Sequence, residues 1–477
     1  MMEARASVMR QIAARYDAAQ TTNENKNHWV AADALSPISA NSLGVRKRLR
    51  ERARYETANN CYANGMGRTL GYPCGGPGPS GSIDGEEPAD REVEDGFDSW
   101  ASEVNLSDKL RIMRETRARD GETFGMLTTN QQINHPVKLD LVLVEADRWT
   151  DPTGTMDSRH FVDGITYDDA GNPLSYRLLD QHPGDGGYGN AYRDVPAASV
   201  IHWFRTDRPG QVRGVPELTA ALPLYAILRR YTLAVLGTAE IAAMWSLFLK
   251  TTAPSIDPAI VDPYDLIPVE RYGMMTLPEG WQPEQLKAEQ PTTTHDAFTR
   301  TILREIARCL DMPFNVAAGD SSGYNYSSGK LDHQTYFRSI DVDRKSCERT
   351  VLNRIFREWY DDALLTPGVL VEPRSRLGLP RIEWDWPPFE HVDPLKESLA
   401  TTNDLAFGLS SIPTELAKRN RRWEREWARQ ARALGMTFQE FQKRMAEKLF
   451  ASSMQAAAQA AATEEGSTSP APQGVAA

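Results

Sequence analysis

Two groups of side chains have residue types that could do nucleophilic chemistry. His333 follows Ser328 and Asp332, the residue types of a catalytic triad, but neighbours in sequence do not make a triad because the roles depend on geometry. His202 lies beside Trp203 in a strand-like run, which favours a hydrogen-bonded core histidine over a general base. The chain also has no Gly-x-Ser-x-Gly elbow. The sequence therefore gives no support for a hydrolase.

Side chains that could bind a metal are equally isolated. Asp341 and Asp343 are two positions apart, so on a helix they point in different directions. Glu390, His391 and Asp393 fall at a predicted domain junction, where capping or solvent exposure explains them. The scattered cysteines have neither C-x-x-C spacing nor a disulfide-dense pattern, and they are Cys61, Cys74, Cys309 and Cys347. We expect reduced thiols, no metal and no cofactor.

Nucleotide hydrolysis requires a phosphate-binding loop, in which a Lys and a Ser or Thr follow the last glycine. The only Gly-Lys pair is Gly329-Lys330, which is followed by Leu331 and has Tyr324 where the first glycine should stand. The sequence therefore does not support ATP hydrolysis, and we expect a protein that is not an enzyme.

Composition narrows the remaining functions. The chain has 477 residues, which allows about two or three domains. Its net charge of −11 argues against tight, general binding of duplex DNA, because that affinity comes from cations. Weak or local contact with DNA stays open.

Residues 231–249 are apolar enough to suggest a membrane span, but Glu240 lies near their centre. We expect a helix packed between other helices and no membrane contact.

The elements that position these residues are mostly helices. Apolar residues recur every three or four positions in a long helix at 216–247, where Pro223 should kink the helix or split off its first turn. Period-two alternation and turn signals predict strands among residues 97–205, namely 137–143, 161–167, 174–179 and 200–204, after a helix at 100–119. Helices are also expected at 1–70, 296–311, 331–365 and 393–450. The predicted fold class is α+β, mainly helical.

A polar segment rich in glycine and serine at 313–329 separates two of these helices. About two to eight residues usually connect helices, so a loop of this length is usually functional or disordered. The helix before the segment carries a ridge of cations at one-turn spacing, Arg300, Arg304 and Arg308, with Glu305 as an ion-pair partner on the same helix. The arrangement suggests a segment that touches something large.

Other stretches leave two interpretations open. Six cations between Arg46 and Arg54 could bind phosphates, or could form a solvated or acid-paired helix face. The cations of residues 418–432, with Trp423 and Trp427, could face DNA or belong to an ordinary amphipathic helix. Residues 71–96 are rich in glycine and proline and are predicted to be a connector that interrupts the regular secondary structure. Residues 451–477 are predicted to be a disordered tail.

Several short motifs together resemble the lambda family of tailed-bacteriophage portal proteins. The matching pieces are spread between residues 16 and 337, and the resemblance extends to about residue 435. They are Tyr16–Gln20 with His28-Trp29, Arg52–Glu56, His202–Arg205, Arg208–Gln211, Arg213–Pro216, Ala288–Pro291, Glu305–Leu310, Met312–Asn315, Ser321–Tyr326 and Leu331–Phe337. Each motif alone is weak, and the combination is specific.

The resemblance implies a ring, expected to be a dodecamer, at one capsid vertex of a virion assembled in the host cytoplasm. Double-stranded DNA enters and leaves through its channel without sequence readout. The family layout implies a wing at 1–215 and 330–392, stem helices at 216–247 and 294–312, a clip at 248–293, a channel loop at 313–329 and a crown at 393–450. The implied partners are the terminase large subunit, head-completion or neck proteins and the major capsid protein.

The resemblance places the candidate DNA-contact residues in and beside the channel loop. The loop residues are Gly319, Asp320, Ser321, Ser322, Gly323, Tyr324, Asn325, Tyr326, Ser327, Ser328, Gly329 and Lys330. The basic ridge of the stem would be divided between intersubunit pairing and the channel. A structural adaptor or scaffold of the phage head without a channel remains the alternative, and a ring seen by electron microscopy distinguishes the two.

Overall fold

The structure is a computed structural model. It describes residues 26–28, 30–74, 78–83, 88–186, 191–244, 248–251, 281–284, 295–370, 378–389, 394–419, 421–448 and 451. Several predictions fall outside these residues. They are the group Glu390, His391 and Asp393, nearly all of the predicted tail and most of the predicted clip.

Helices dominate the described chain, as the sequence predicts. In chain order they are α1 Pro37–Ala40, α2 Leu43–Asn59, α3 Cys61–Gly71, α4 Pro88–Glu103, α5 Leu106–Asp120, α6 Leu222–Met244, α7 His295–Cys309, α8 Phe314–Ala318, α9 Tyr326–Cys347, α10 Asn353–Leu365, α11 Pro394–Ala406, α12 Ile412–Lys418 and α13 Trp423–Ala433. A single π-helical turn, Glu348–Leu352, joins α9 to α10 without a break, and a further helix covers 438–448.

The strands form four small antiparallel sheets. The strands are β1 Ser80–Ile83, β2 Glu122–Thr129, β3 Leu139–Val144, β4 Phe161–Val162, β5 Ile165–Tyr167, β6 Pro173–Leu179, β7 Tyr192–Pro196, β8 Val200–Phe204, β9 Phe248–Thr251, β10 Trp281–Glu284 and β11 Ile382–Asp385. β2 lies between β3 and β8, and β4 to β7 pair in sequence order. β1 pairs with β11, and β9 pairs with β10. The mainly helical α+β prediction is confirmed.

Two large apolar cores and two smaller ones hold the described elements. One large core is rich in tryptophan and lies between α4, α5, α10 and the β2 sheet, where Trp100, Trp203 and Trp359 are fully buried. The other joins α3, α6, α7, α8 and α9 through side chains such as Tyr225 and Ile306. Burying such side chains contributes about 1.5–3 kcal/mol each, so this second core fixes the N-terminal part of α6 and the buried face of α7 to the rest of the chain.

Three local predictions are wrong. The helix predicted at 100–119 is two helices, because Asn105 adopts a left-handed conformation (φ 52°) between α4 and α5. The predicted connector at 71–96 supplies β1 and the start of α4, since β1 finds its partner in the distant β11. Strands β2 and β7 were not predicted; the first four residues of β2 are all buried, so this strand lacks alternation.

The long helix α6 begins at Leu222, after a 3₁₀ turn at Thr219–Ala221. Pro223 occupies its second position, where the missing N–H costs nothing, so the prediction of a split first turn is confirmed. Among the described helices, none is both long and apolar enough to cross a membrane.

The chain enters α6 by crossing the junction of α5 and β2 at two glycines. Gly121 has φ +90°, and a Cβ there would lie 2.5 Å from the carbonyl carbon of Val215. A Cβ on Gly214 would lie 2.1 Å from the carbonyl oxygen of Gly121. The crossing is therefore possible only because both residues lack a side chain.

Candidate functional site

His202 is a core histidine, as predicted. Its side chain is 5% exposed, its Nε2 lies 3.1 Å from Oε2 of Glu122, and its ring stacks on Phe124. Burial lowers the pKa of His202, although the hydrogen bond to Glu122 opposes that shift. The ring is therefore neutral at pH 7 and has a structural partner.

The possible triad around His333 does not form. Nε2 of His333 lies 3.0 Å from Nδ2 of Asn315. Ser328 instead takes part in a helix cap with Asn325, its backbone N–H donating to Oδ1 of Asn325. The chemistry of a nucleophile and a base is therefore not assembled among these described residues.

Asp341 and Asp343 have separate roles on α9. Asp343 forms ion pairs with Arg114 at 2.7 Å and with Arg117 at 2.6 Å, whereas Asp341 lies 3.9 Å from Arg344. Both carboxylates therefore face cations of the chain itself.

Glu145, Asp147 and His182 come together without a sequence signal, because His182 is distant along the chain from the two acids. Nδ1 of His182 accepts a hydrogen bond from the backbone N–H of Gly184, so the neutral ring carries its proton on Nε2, which lies 3.0 Å from Oε2 of Glu145. A metal would need that Nε2 lone pair. Asp147 is moreover neutralised by Arg54 at 2.7 Å. These residues do not fit a metal ion.

The polar segment is shorter than predicted. α8 occupies Phe314–Ala318 and ends at Gly319, which has φ +67°. α9 begins at Tyr326, because Asn325 and Ser328 form a reciprocal capping box. The prediction of a continuous loop at 313–329 is therefore wrong at both ends, and only residues 319–325 connect the helices. Tyr326 to Lys330, which were predicted as loop residues, form the first turn of α9.

The three arginines of α7 have different partners. Nε of Arg300 pairs with Asp296 at 2.9 Å, and its Nη2 pairs with Asp320 of the loop at 3.1 Å. The guanidinium of Arg304 lies 5.2 Å above the ring of Phe314. Arg308 is mostly exposed and pairs with Asp311 at 3.1 Å. Glu305 was expected to pair with this ridge, but Arg300 uses Asp296, one turn before it, and the loop residue Asp320 instead.

A cavity of about 320 Å³ lies between the end of α7 and the loop. Its lining includes Arg304, Arg308, Phe314, Tyr324 and Asp332. Burial raises the pKa of Tyr324, whose ring lies against this wall. Of the predicted contact residues, Tyr324 thus packs on its own chain, and Asn325 is exposed while capping α9; the side chain of Tyr326 lies outside the described parts.

The upper part of α6 exposes an apolar flank, defined by Leu233 and Leu236. These side chains are 62% and 54% exposed. Another face of the helix, which includes Leu228, packs in the core shared with α7. The prediction that this helix is packed between other helices therefore does not hold within a single chain.

Comparison with known proteins decides the family. The family model described as phage portal protein, lambda family, matches residues 24–344. The chain belongs to the lambda family of phage portal proteins. It is 25% identical to the probable portal protein of Halomonas phage phiHAP-1 over 402 residues, which cover 78% of this chain and 77% of that protein. It is 23% identical to portal protein B of Escherichia phage lambda, over 73% of this chain and 74% of that protein.

Solved structures that match the chain include the following two. The chain is similar to one in the neck of an empty gene transfer agent particle, with TM-score 0.45, 12% identity, and coverage of 76% of this chain and 90% of that chain. It is also similar to an HK97-family phage portal protein from Corynebacterium diphtheriae, with TM-score 0.28, 12% identity, and coverage of 60% and 81%.

The basic helix α2 of this portal protein faces inwards. Arg46 is buried with Asp163, and Arg50 is buried with Glu122 at 3.1 Å. Arg54 pairs with Asp120 at 2.8 Å. Of the two interpretations left open by the sequence, the acid-paired face is confirmed for these three arginines.

The basic helix α13 packs on the acidic face of α4. Arg422 reaches Asp98 at 2.9 Å, and Arg425 reaches Asp95 at 2.8 Å. Trp427 is buried in a small separate core with Phe441. The amphipathic-helix interpretation accounts for these contacts.

A buried charge cluster joins the segment just before α6 to α5 and α9. Glu217 accepts from Arg114 at 3.1 Å and from Arg117 at 3.0 Å, and Asp343 of α9 completes the cluster. Burial alone would raise the pKa of Glu217, but the two arginines outweigh it and lower the pKa to about 2. The cluster therefore ties α5 and α9 to the segment that leads into α6.

Glu217 should make this portal protein sensitive to acid. Because its folded pKa lies below the usual 4.5, its stabilisation is complete above that value and is lost as pH falls towards about 2, a change on the order of 3 kcal/mol. We expect Glu217→Gln to lower the melting temperature at pH 7 and to flatten its decline between about pH 5 and pH 3. Melting curves across this range test it, with the exposed Glu51→Gln as control; an acid slope equal to that of the wild type would contradict it.

Proposed function

We propose that this portal protein forms a closed ring at one capsid vertex, around a channel through which double-stranded DNA is packaged and ejected. The family match across residues 24–344 carries the proposal. The assembly of the gene transfer agent neck, described with C12 symmetry in one solved structure, is consistent with a twelve-subunit ring. The net charge of −11 suits a channel that must not hold DNA tightly.

In the proposed ring, α6 and α7 form the stem and the apolar flank meets the neighbouring subunit. A rotational ring repeats one heterologous contact, so each subunit needs two different complementary surfaces. The apolar flank is one candidate, since exposed apolar patches mark interaction sites. The outer side of α7, with Arg304, Glu305 and Arg308 exposed, is the candidate for the other.

Charging the apolar flank should prevent assembly. We expect the double substitution Leu233→Glu and Leu236→Glu to convert rings to monomers, because two carboxylates would lose their hydration in the interface. Size-exclusion chromatography with light scattering measures the change. The control is Met156→Glu, a similarly apolar residue that is 90% exposed on a distant loop. Intact rings from the double variant would exclude the flank from the interface.

The loop 319–325 is proposed to border the channel. It lies beside the arginines of α7 and presents exposed polar residues, Ser321, Ser322, Gly323 and Asn325. Such a surface offers hydrogen bonds to phosphates without reading bases, which suits passage of any sequence. The capping box holds its far end, so the proposed contact region is the short segment and the side chain of Arg300.

The proposed partners follow from this role. A terminase large subunit would dock on the clip and supply ATP hydrolysis, for which this sequence has no phosphate-binding loop. Head-completion or neck proteins would replace the terminase, and the major capsid protein would surround the wing. The proposed location is the virion, after assembly in the host cytoplasm. The proposed role is structural rather than enzymatic.

The alternative is an adaptor or scaffold of the phage head that encloses no channel. Electron microscopy of the purified full-length protein separates the two. Rings with a central hole wide enough for a double helix support the portal role. Monomers under all conditions, including inside virions, would contradict it.

A further inference from the structure

Arg300 connects the stem to the loop through a single guanidinium. Its Nη2 lies 3.1 Å from Oδ2 of Asp320 and 3.4 Å from Oγ of Ser322, while Nε pairs with Asp296 on its own helix. Asp320 follows Gly319, whose left-handed conformation ends α8 and turns the chain towards α7. The loop is therefore held against the stem by a contact between distant parts of the sequence.

Asp320 uses its two oxygens for two different tasks. Oδ1 accepts the backbone N–H of Ser322 at 2.9 Å, which shapes the turn, and Oδ2 faces Arg300. The hydrogen bond from Ser322 lowers the pKa of Asp320, so the carboxylate is charged at neutral pH. An asparagine at this position would keep the turn and remove only the charge.

We propose that Arg300 and Asp320 form a latch that DNA opens, in which a backbone phosphate replaces the Asp320 carboxylate on Arg300 and releases the loop 319–325. The inference rests on the proposed channel. Arg300 would then be a phosphate-binding residue that is masked while the channel is empty. In this proposal, Arg300 is the stem residue that senses the duplex, and the loop 319–325 is the segment that responds.

The chemistry of the pair suits exchange. Arg300 holds Asp320 through Nη2 alone, and a guanidinium binds phosphate oxygens as readily as carboxylate oxygens, so a phosphate oxygen can take the place of Oδ2 of Asp320. The two side chains are 32% and 33% exposed, so water and ions reach them. A pair of this exposure shifts an equilibrium by only about two- to fivefold. A passing phosphate can therefore compete with Asp320.

The other two arginines of the ridge do not have this arrangement. Arg304 stacks on Phe314 of α8, and Arg308 pairs with Asp311, which follows the same helix. Their described ion pairs and ring contacts do not include residues 319–325. Arg308 and Asp311 therefore provide a matched exposed pair that leaves the loop untouched.

Millisecond hydrogen exchange on the full-length ring tests the latch. The readout is the amide of Ser322, bonded to Asp320, and the amide of Tyr324, bonded to the carbonyl of Ser321. Asp320→Asn should speed exchange of these two amides about two- to fivefold. The control Asp311→Asn removes the same charge and keeps a residue type that tolerates the φ of 52° there. Equal exchange in Asp320→Asn and wild type overturns the latch.

A second arm adds random-sequence duplex of about 30 base pairs to the ring at low salt. The duplex should speed exchange of the same amides in the wild type, and should have no further effect in Arg300→Gln, where the latch is already absent. Duplex that binds, by fluorescence anisotropy, while these amides exchange at an unchanged or slower rate overturns the inference and leaves the channel intact. Protein that forms no ring and binds no duplex overturns both.

Discussion

Replacing Glu122 with alanine is expected to cost about 3–5 kcal/mol of folding free energy, because it removes a buried carboxylate that two buried arginines share. Arg213 donates to Oε1 of Glu122 at 2.7 Å, and Arg50 donates to the same oxygen at 3.1 Å. Oε2 accepts the backbone N–H of Gly214 at 2.9 Å. Burial alone would raise the pKa of Glu122, but Arg213 and the hydrogen bond from His202 keep this pKa well below its ordinary value. A loss of this size is a large fraction of the stability of most domains, about 5–15 kcal/mol.

The matched control for this substitution is Glu51→Ala. Glu51 also pairs with an arginine, Arg48, at 3.3 Å, but the two side chains are 48% and 68% exposed. An exposed pair contributes less than about 1 kcal/mol. Thermal melting and soluble yield should therefore separate the two variants clearly. Similar melting temperatures for Glu122→Ala and Glu51→Ala would show that the buried network does not stabilise the fold.

Replacing Ser321, Ser322 and Tyr324 with glycine makes residues 321–324 four consecutive glycines. This four-glycine variant is expected to leave most heads without a full genome. It keeps the chain length, Asp320 and the Asn325–Ser328 cap, and it removes the hydroxyls and the Tyr324 ring that fill the space beside α7. A tenfold fall in filled heads corresponds to only about 1.4 kcal/mol at the controlling step. Counting filled and empty heads by electron microscopy, together with plaque assays, measures the effect.

Ring formation is the internal control for the loop variant. Rings of normal size show that the glycines have not disturbed folding or assembly, so that a packaging defect belongs to the loop itself. Met156→Gly, in the exposed loop between β3 and β4, should package normally. Normal filling in the four-glycine variant would place the proposed DNA contact elsewhere in the channel.

Local periodicity predicted the elements whose partners are helices. The stripe through Leu222, Tyr225 and Leu228 is buried along α6, and Ile302 and Ile306 are buried along α7. Strand β8 spans the predicted residues 200–204. In these cases, the spacing of apolar residues alone determines which face packs inwards.

Contacts between distant parts of the chain could not be predicted in the same way. Arg46 and Arg50 looked like a surface charge run, because their acids, Asp163 and Glu122, are far away in sequence. The pairing of β1 with β11 was hidden for the same reason. The early start of α9 did carry a local signal, Asn325 with Ser328 three residues later, although serine is not the usual partner in a capping box.

The crossing of Gly121 and Gly214 has a consequence for the geometry of the proposed ring. The backbones touch with only hydrogen atoms between them, so a methyl group at either position would push the root of α6 away from β2. A closed ring repeats the same angle at every subunit, and a small tilt in one protomer is therefore added around the whole circumference. The diameter of the channel in the proposed ring would therefore depend on both positions carrying a hydrogen atom rather than a methyl group.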